Sequence, residues 1–129
     1  MRALLVSLLF SAPAVAEGDP EAGAGVFFTF CAGCHGEDAR GNGPMSDLLT
    51  VEPPDLTAIA ASNAGVFPVF DVVRQIDGRD PMMAHGGEMP LFGAIFDFPD
   101  GSMKSETGQP IITAQPIADV AAWLESVQD

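Results

Sequence analysis

Residues 31–35 read Cys-Ala-Gly-Cys-His, and they hold the only two cysteines of the chain. Two thiols three positions apart come to one side of a helical turn, with the following histidine held beside them. A disulfide across so short a loop removes little unfolded-state entropy, so a fold-stapling bridge explains the spacing poorly. A thioredoxin-like dithiol expects a βαβ setting, whereas a phenylalanine-rich helical pattern precedes this motif. A zinc site needs four ligands. Cys31, Cys34, His35 and His85 just meet that count, but Cys34 and His35 are adjacent, which makes tetrahedral closure awkward. Covalent attachment of one haem accounts for all three motif side chains: the two thiols add to vinyl groups on one edge, and His35 is held under the iron.

The first sixteen residues read as a secretory signal peptide. A positive start, Met1-Arg2, precedes an apolar run from Ala3 to Phe10 and the small-residue site Ala14-Val15-Ala16. That run falls short of the about 20 residues a membrane span needs. The expected organisation is a leader over 1–16 and one domain over 17–129, located in the periplasm with no stable membrane span after cleavage. A chain this short buries a modest core, and a large apolar cofactor would supply the missing interior.

The chain has 18 acidic and 5 basic residues, a formal net charge of −13. Cleavage of the leader removes Arg2 and makes the balance more negative still. Nucleic-acid binding requires a cationic surface and is excluded on charge. A redox protein partner with a basic surface, met by electrostatic steering, suits the balance; so does a solubility adaptation to a salty environment.

Helix signals are local and clear in three places. Asp19-Pro20-Glu21 supplies an N-cap, a proline at the first helical position and an acid in the first turn. Gly23, Phe27 and Phe30 then share one side, bordered by Val26. A second helix is predicted from Pro68 to Asp77, with Val69, Val72, Val73 and Ile76 inward and Gly78 as its stop. A last helix starts at Pro116 with Ile117, Val120, Ala121, Leu124 and Val127 as its stripe. Asp55 caps a shorter helix over Leu56–Ala61, ended by Asn63 or Gly65. Residues 36–54 read as a long loop with a turn near Met45–Leu49, and 81–93 as a second loop. Residues 94–114 lack a helical period, and Phe96, Phe98, Ile111 and Ile112 predict extended pieces with a hairpin around Asp100-Gly101. The fold class is mainly α: a small helical domain wrapped around one covalent haem, with long Gly/Pro-rich loops. Such loops need something inside to order them.

The second axial ligand is a separate question. A methionine opposite the histidine raises the reduction potential, and Met45, Met82, Met83, Met89 and Met103 lie downstream. Met89 is favoured by its setting, Gly86-Gly87-Glu88-Met89-Pro90. The glycines let backbone approach a flat ring, and Pro90 stiffens the segment that presents the sulfur. His85 is the rival ligand.

Taken together, these segments resemble the class I c-type cytochromes, the bacterial monohaem cytochrome c family. The matching residues are Gly23 and Phe27 ahead of the motif, Cys31-Ala32-Gly33-Cys34-His35-Gly36, and Gly41-Asn42-Gly43-Pro44. To these add Pro53-Pro54-Asp55-Leu56-Thr57, Ile76-Asp77-Gly78-Arg79, Met89-Pro90-Leu91-Phe92-Gly93, and Val120 with Trp123. Residues 94–115 have no counterpart. The resemblance implies haem c held by Cys31 and Cys34, with His35 and Met89 as iron ligands and Phe27 against the cofactor. It also implies that the Pro44 carbonyl receives the His35 N–H, a bond that would fix the ligand's tautomer and basicity. The last helix would cross the first at its small residue.

A His/Met iron has no free position, so the expected role is a single-electron carrier of an exported respiratory or other redox chain, not an enzyme. No nucleophile–base pattern, phosphate loop or distinctive carboxylate pair competes with that reading. The alternatives are a haem subunit of a larger oxidoreductase, or a haem enzyme or gas-binding protein with a labile sixth ligand.

Overall fold

The computed structural model of the protein describes residues 16–79 and 88–129. After a two-residue strand β1 (Ala16–Glu17) come helix α1 (Pro20–Phe30) and a single turn α2 (Ala32–His35). A 3-10 turn at Ser46–Leu48 interrupts the following loop, and a second at Leu56–Ala58 runs into α3 (Ile59–Ser62). Next are α4 (Val69–Asp77) and α5 (Phe92–Ile95). Strands β2 (Gly101–Lys104) and β3 (Pro110–Thr113) precede the closing helix α6 (Gln115–Ser126).

The predicted caps form. The Asp19 carboxylate accepts the Glu21 N–H at 2.9 Å, and Pro20 opens α1. Asp55 does the same for Thr57 at 2.9 Å, which starts the Leu56–Ser62 segment. Helix α4 buries all four residues of its predicted stripe and stops at Gly78, which adopts a left-handed conformation with φ of 67°.

Helices α1 and α6 cross and make the core of the domain. They meet at Gly23, where a Cβ would run into the Asp119 carbonyl and the Trp123 side chain. The small residue sets how close the two backbones come. Phe27 of α1 and Ile117, Ala118 and Ala121 of α6 are fully buried around this crossing. Asp119 is buried too. Its Oδ1 accepts the Asp19 N–H at 2.8 Å and the Gln115 amide at 2.6 Å, so one carboxylate ties the start of α1 to α6. Buried polar groups are retained when bonded in this way.

Strand β1 pairs in parallel with β2, and β2 pairs antiparallel with β3 from Gly101↔Thr113 to Lys104↔Pro110. The hairpin expected in 94–114 is present, but its turn is not at Asp100-Gly101. The chain reverses at Ser105–Gln109, where the Gly108 N–H bonds to the Ser105 carbonyl and Gly108 takes φ of 78°. Asp100 serves α6 instead: its carboxylate accepts the Gln115 N–H at 2.9 Å, and Gly101 lies against the Gln115 backbone. Phe96 and Phe98 are not in strands. Phe96 ends α5, the short helix that Phe92 and Gly93 open where a loop was expected. Of the predicted leader, residues 1–15 lie outside the described residues, and so does His85. Among the described residues no helix is long and apolar enough to cross a membrane.

Candidate cofactor site

A cavity of about 730 Å³ lies between α1, α4, α6 and the two Gly/Pro-rich loops. That is within the range of pockets that enclose a cofactor, about 300–1,000 Å³. Phe27 and Phe30 face it from α1, Val72 and Ile76 from α4, Val120 and Leu124 from α6, and Leu49, Val51, Pro53 and Pro54 from the first loop. Cys31, Cys34, His35 and Met89 all line it. The structure therefore brings the attachment motif and the favoured methionine to one apolar space, although they are more than fifty positions apart in sequence. Met45 and Met103 do not line it: Met45 is half exposed beside Gly33, and Met103 is buried in β2. Met82, Met83 and His85 are outside the described residues.

The motif is shaped by helical bonding. The Cys34 and His35 N–H groups both bond to the Cys31 carbonyl, at 3.1 and 2.9 Å. Both thiols are free and half-buried. Burial, with the Cys34 thiol beside it, pushes the Cys31 thiol up to about 11. A reactive dithiol needs the opposite shift, toward thiolate at neutral pH. Burial lowers the His35 pKa, which favours the neutral imidazole a metal requires. Among the described residues no three His, Cys, Asp or Glu side chains converge on a common metal position.

His35 Nδ1 is buried without a hydrogen-bond partner. A buried polar atom seldom stays unpaired, so the Nδ1 side of this imidazole has unmet bonding capacity. The bond expected from His35 to the Pro44 carbonyl is not made. The loop does lie on the motif, but it is held there by its own N–H groups: Gly43 bonds to the Cys34 carbonyl at 3.1 Å and Met45 to the Gly33 carbonyl at 2.9 Å. Pro44 between them is exposed. Phe27 is fully buried on the cavity wall, with its ring 4.3 Å from that of Trp123.

The polar part of the wall, Glu52, Asp71, Arg74, Gln75 and Glu88, carries no motif in the sequence. Arg74 and Gln75 sit between the inward-facing Val73 and Ile76 of α4. Both positions fall on the polar side of a regular i, i+3, i+4, i+7 stripe, so that pattern does not assign them to the wall. Haem carries two carboxylates as well as an apolar ring. A mostly apolar cavity with two thiols, an imidazole and a thioether fits the ring and its iron, and Arg74 is the one basic group on a polar wall that also holds Glu52, Asp71 and Glu88.

Comparison with known proteins agrees. The Cytochrome c family matches residues 20–128. No curated protein matches the chain. Among solved structures the chain is similar to a chain of the Kuenenia stuttgartiensis reducing HAO-like protein complex Kustc0457/Kustc0458, with a TM-score of 0.55 and 20% identity. The likeness covers 89% of this chain and 45% of that one, so this chain spans less than half of its solved neighbour. At that identity the likeness concerns the fold alone. The family match starts at the opening of α1 and ends just past α6, and so takes in every wall of the cavity along with the attachment motif; this chain belongs to the cytochrome c family.

Proposed function

We propose that this cytochrome c domain is a single-electron carrier of an exported redox chain, with one haem c held through Cys31 and Cys34. Haem-based electron transfer is what the family implies. The observation that carries the finer reading is that Met89 shares the cavity with His35, whereas the other described downstream methionines do not. His35 and Met89 would occupy both axial positions, and the iron would supply a one-electron redox centre. The protein's own part is to keep that centre dry. Phe27, Val72, Val120 and Leu124 exclude water, and a low-polarity wall limits reorganisation when the charge changes. The Pro44 carbonyl is proposed as the acceptor for His35 Nδ1, a bond that haem loading would have to form.

Full ligation has a direct test. The reduced protein is expected to leave carbon monoxide unbound at neutral pH. Prompt binding would mean an open position and would favour a haem enzyme or a gas-binding protein. A permanent subunit of a larger redox assembly would use the same site, and the solved neighbour is a chain of such a complex.

The partner surface is proposed to be basic. Arg40, Arg79 and Lys104 are each tied to carboxylates, Arg40 to Asp55 and Asp129, Arg79 to Asp77 and Lys104 to Glu17. Much of the scarce positive charge is thus neutralised within the chain. Electron-transfer rates with a basic partner are expected to fall as ionic strength rises, because exposed charges are screened beyond about 10 Å at 0.1 M salt. Salt-independent rates would contradict this.

A further inference from the structure

We propose that Glu88 is a positioning residue that holds Met89 over the cavity by latching its segment to the opposite loop. The inference rests on Met89 as an axial ligand and goes on to say what keeps it there. The Glu88 carboxylate bridges the two loops at the cavity wall. Its Oε2 accepts the Thr50 N–H at 2.6 Å and, at longer range, the Val51 N–H at 3.4 Å. Its Oε1 accepts the Thr50 hydroxyl at 3.3 Å. Both ends of this bridge border the cavity: Leu49 and Val51 on one side, Glu88, Met89 and Pro90 on the other. A carboxylate on backbone N–H groups makes a charge-assisted bond, stronger than a neutral pair.

The other side of the segment is fixed independently. Leu91 packs against Gly78, its Cδ2 lying where it would touch a Cβ there. Gly93 lies on the Asp77–Arg79 pair, whose two bonds are both 2.9 Å long. Arg79 holds the Asp77 carboxyl below its usual range. Residues 91–93 are therefore seated on the end of α4, and Glu88 is seated on Thr50. Only Met89 and Pro90 lie between the two anchors, and the proline ring fixes one of the remaining backbone torsions. A sulfur presented by a segment tethered at both ends loses little freedom on binding the iron; one tethered at a single end loses more.

The test uses the haem-loaded protein and imidazole as a competitor for the methionine position. Glu88→Ala is expected to raise the apparent affinity for imidazole about tenfold, the order expected on losing a hydrogen bond to a charged group. It should also weaken the sulfur-to-iron charge-transfer band and speed amide exchange at Thr50. Glu88→Gln keeps an acceptor oxygen and should recover part of the effect, which general destabilisation of the fold would not. Glu125→Ala, which removes an exposed acid from α6, should leave all three readouts unchanged. If the wild type shows the sulfur band and Glu88→Ala matches it in imidazole affinity, the latch is overturned while Met89 ligation stands. If the wild type lacks the band, ligation by Met89 fails and the latch fails with it.

Discussion

A Cys31→Ser/Cys34→Ser double variant is expected to carry no haem through denaturing electrophoresis and to lose most of its helical signal. Serine hydroxyls do not add to vinyl groups under the conditions in which thiols do, so both covalent links disappear. The second consequence follows from the cavity. The space of about 730 Å³ is walled by α1, α4 and α6, by residues of the 49–54 segment and by Glu88, Met89 and Pro90. Left unfilled, it leaves Phe30 and Val51 of its wall uncovered, 48% and 70% exposed. A domain of this size has a net stability of about 5–15 kcal/mol. Covering this wall with haem contributes a share of it, at about 25 cal/mol per Å² of apolar surface removed from water. Haem staining after electrophoresis and far-ultraviolet circular dichroism report the two losses separately. Recovery of a folded double variant with fully retained haem would contradict the assignment of the attachment site.

Phe27→Ala is expected to destabilise the haem-loaded protein by about 3–5 kcal/mol, the usual cost of deleting a buried phenylalanine side chain. Phe27 is 0% exposed and serves two surfaces at once. Its ring lies 4.3 Å from that of Trp123, across the α1–α6 crossing, and it also forms part of the cavity wall. Truncation opens a hole that neither α6 nor a rigid planar cofactor can close. Denaturant unfolding should show a lower midpoint with an unchanged slope. Phe98→Ala is the matched comparison: Phe98 is 80% exposed, and its removal should stay within about 0.5 kcal/mol of wild type. Similar stabilities for the two variants would mean that Phe27 is not the core residue of this crossing.

The parts of the fold that could be read in advance are those whose signals are local. Asp19-Pro20-Glu21 names the start of α1 because a cap bonds within its own turn. The α4 stripe and the Gly78 stop are legible for the same reason, since four inward residues and one glycine specify the whole helix. The hairpin shows the limit. Asp100-Gly101 has the composition of a tight turn, but the structure uses Asp100 to bond Gln115 and uses Gly101 to let β2 approach α6. A tertiary contact overrode the local preference, and the reversal moved to Ser105–Gln109.

The candidate site divides in the same way. Cys31, Cys34 and His35 are contiguous, so their chemistry is written in their spacing. Met89 was favoured for its glycine and proline neighbours, and it does line the cavity. Arg74 and Gln75 reach the wall because α4 is oriented by packing on α6, which no short pattern encodes. The tie from Glu88 to Thr50 joins positions 38 residues apart and leaves no mark in either local sequence. The expected Pro44 bond depended on the orientation of a carbonyl within a loop, a detail that the Gly43 and Met45 N–H bonds decide instead.

The central claim is one haem ligated by His35 and Met89 and cycling a single electron. An optical redox titration of the purified protein tests it most directly. One reversible transition with a one-electron slope is expected, with a low-spin spectrum in both states and a sulfur-to-iron band in the oxidised protein that Met89→Ala abolishes. A high-spin oxidised spectrum without that band in the wild type would contradict it.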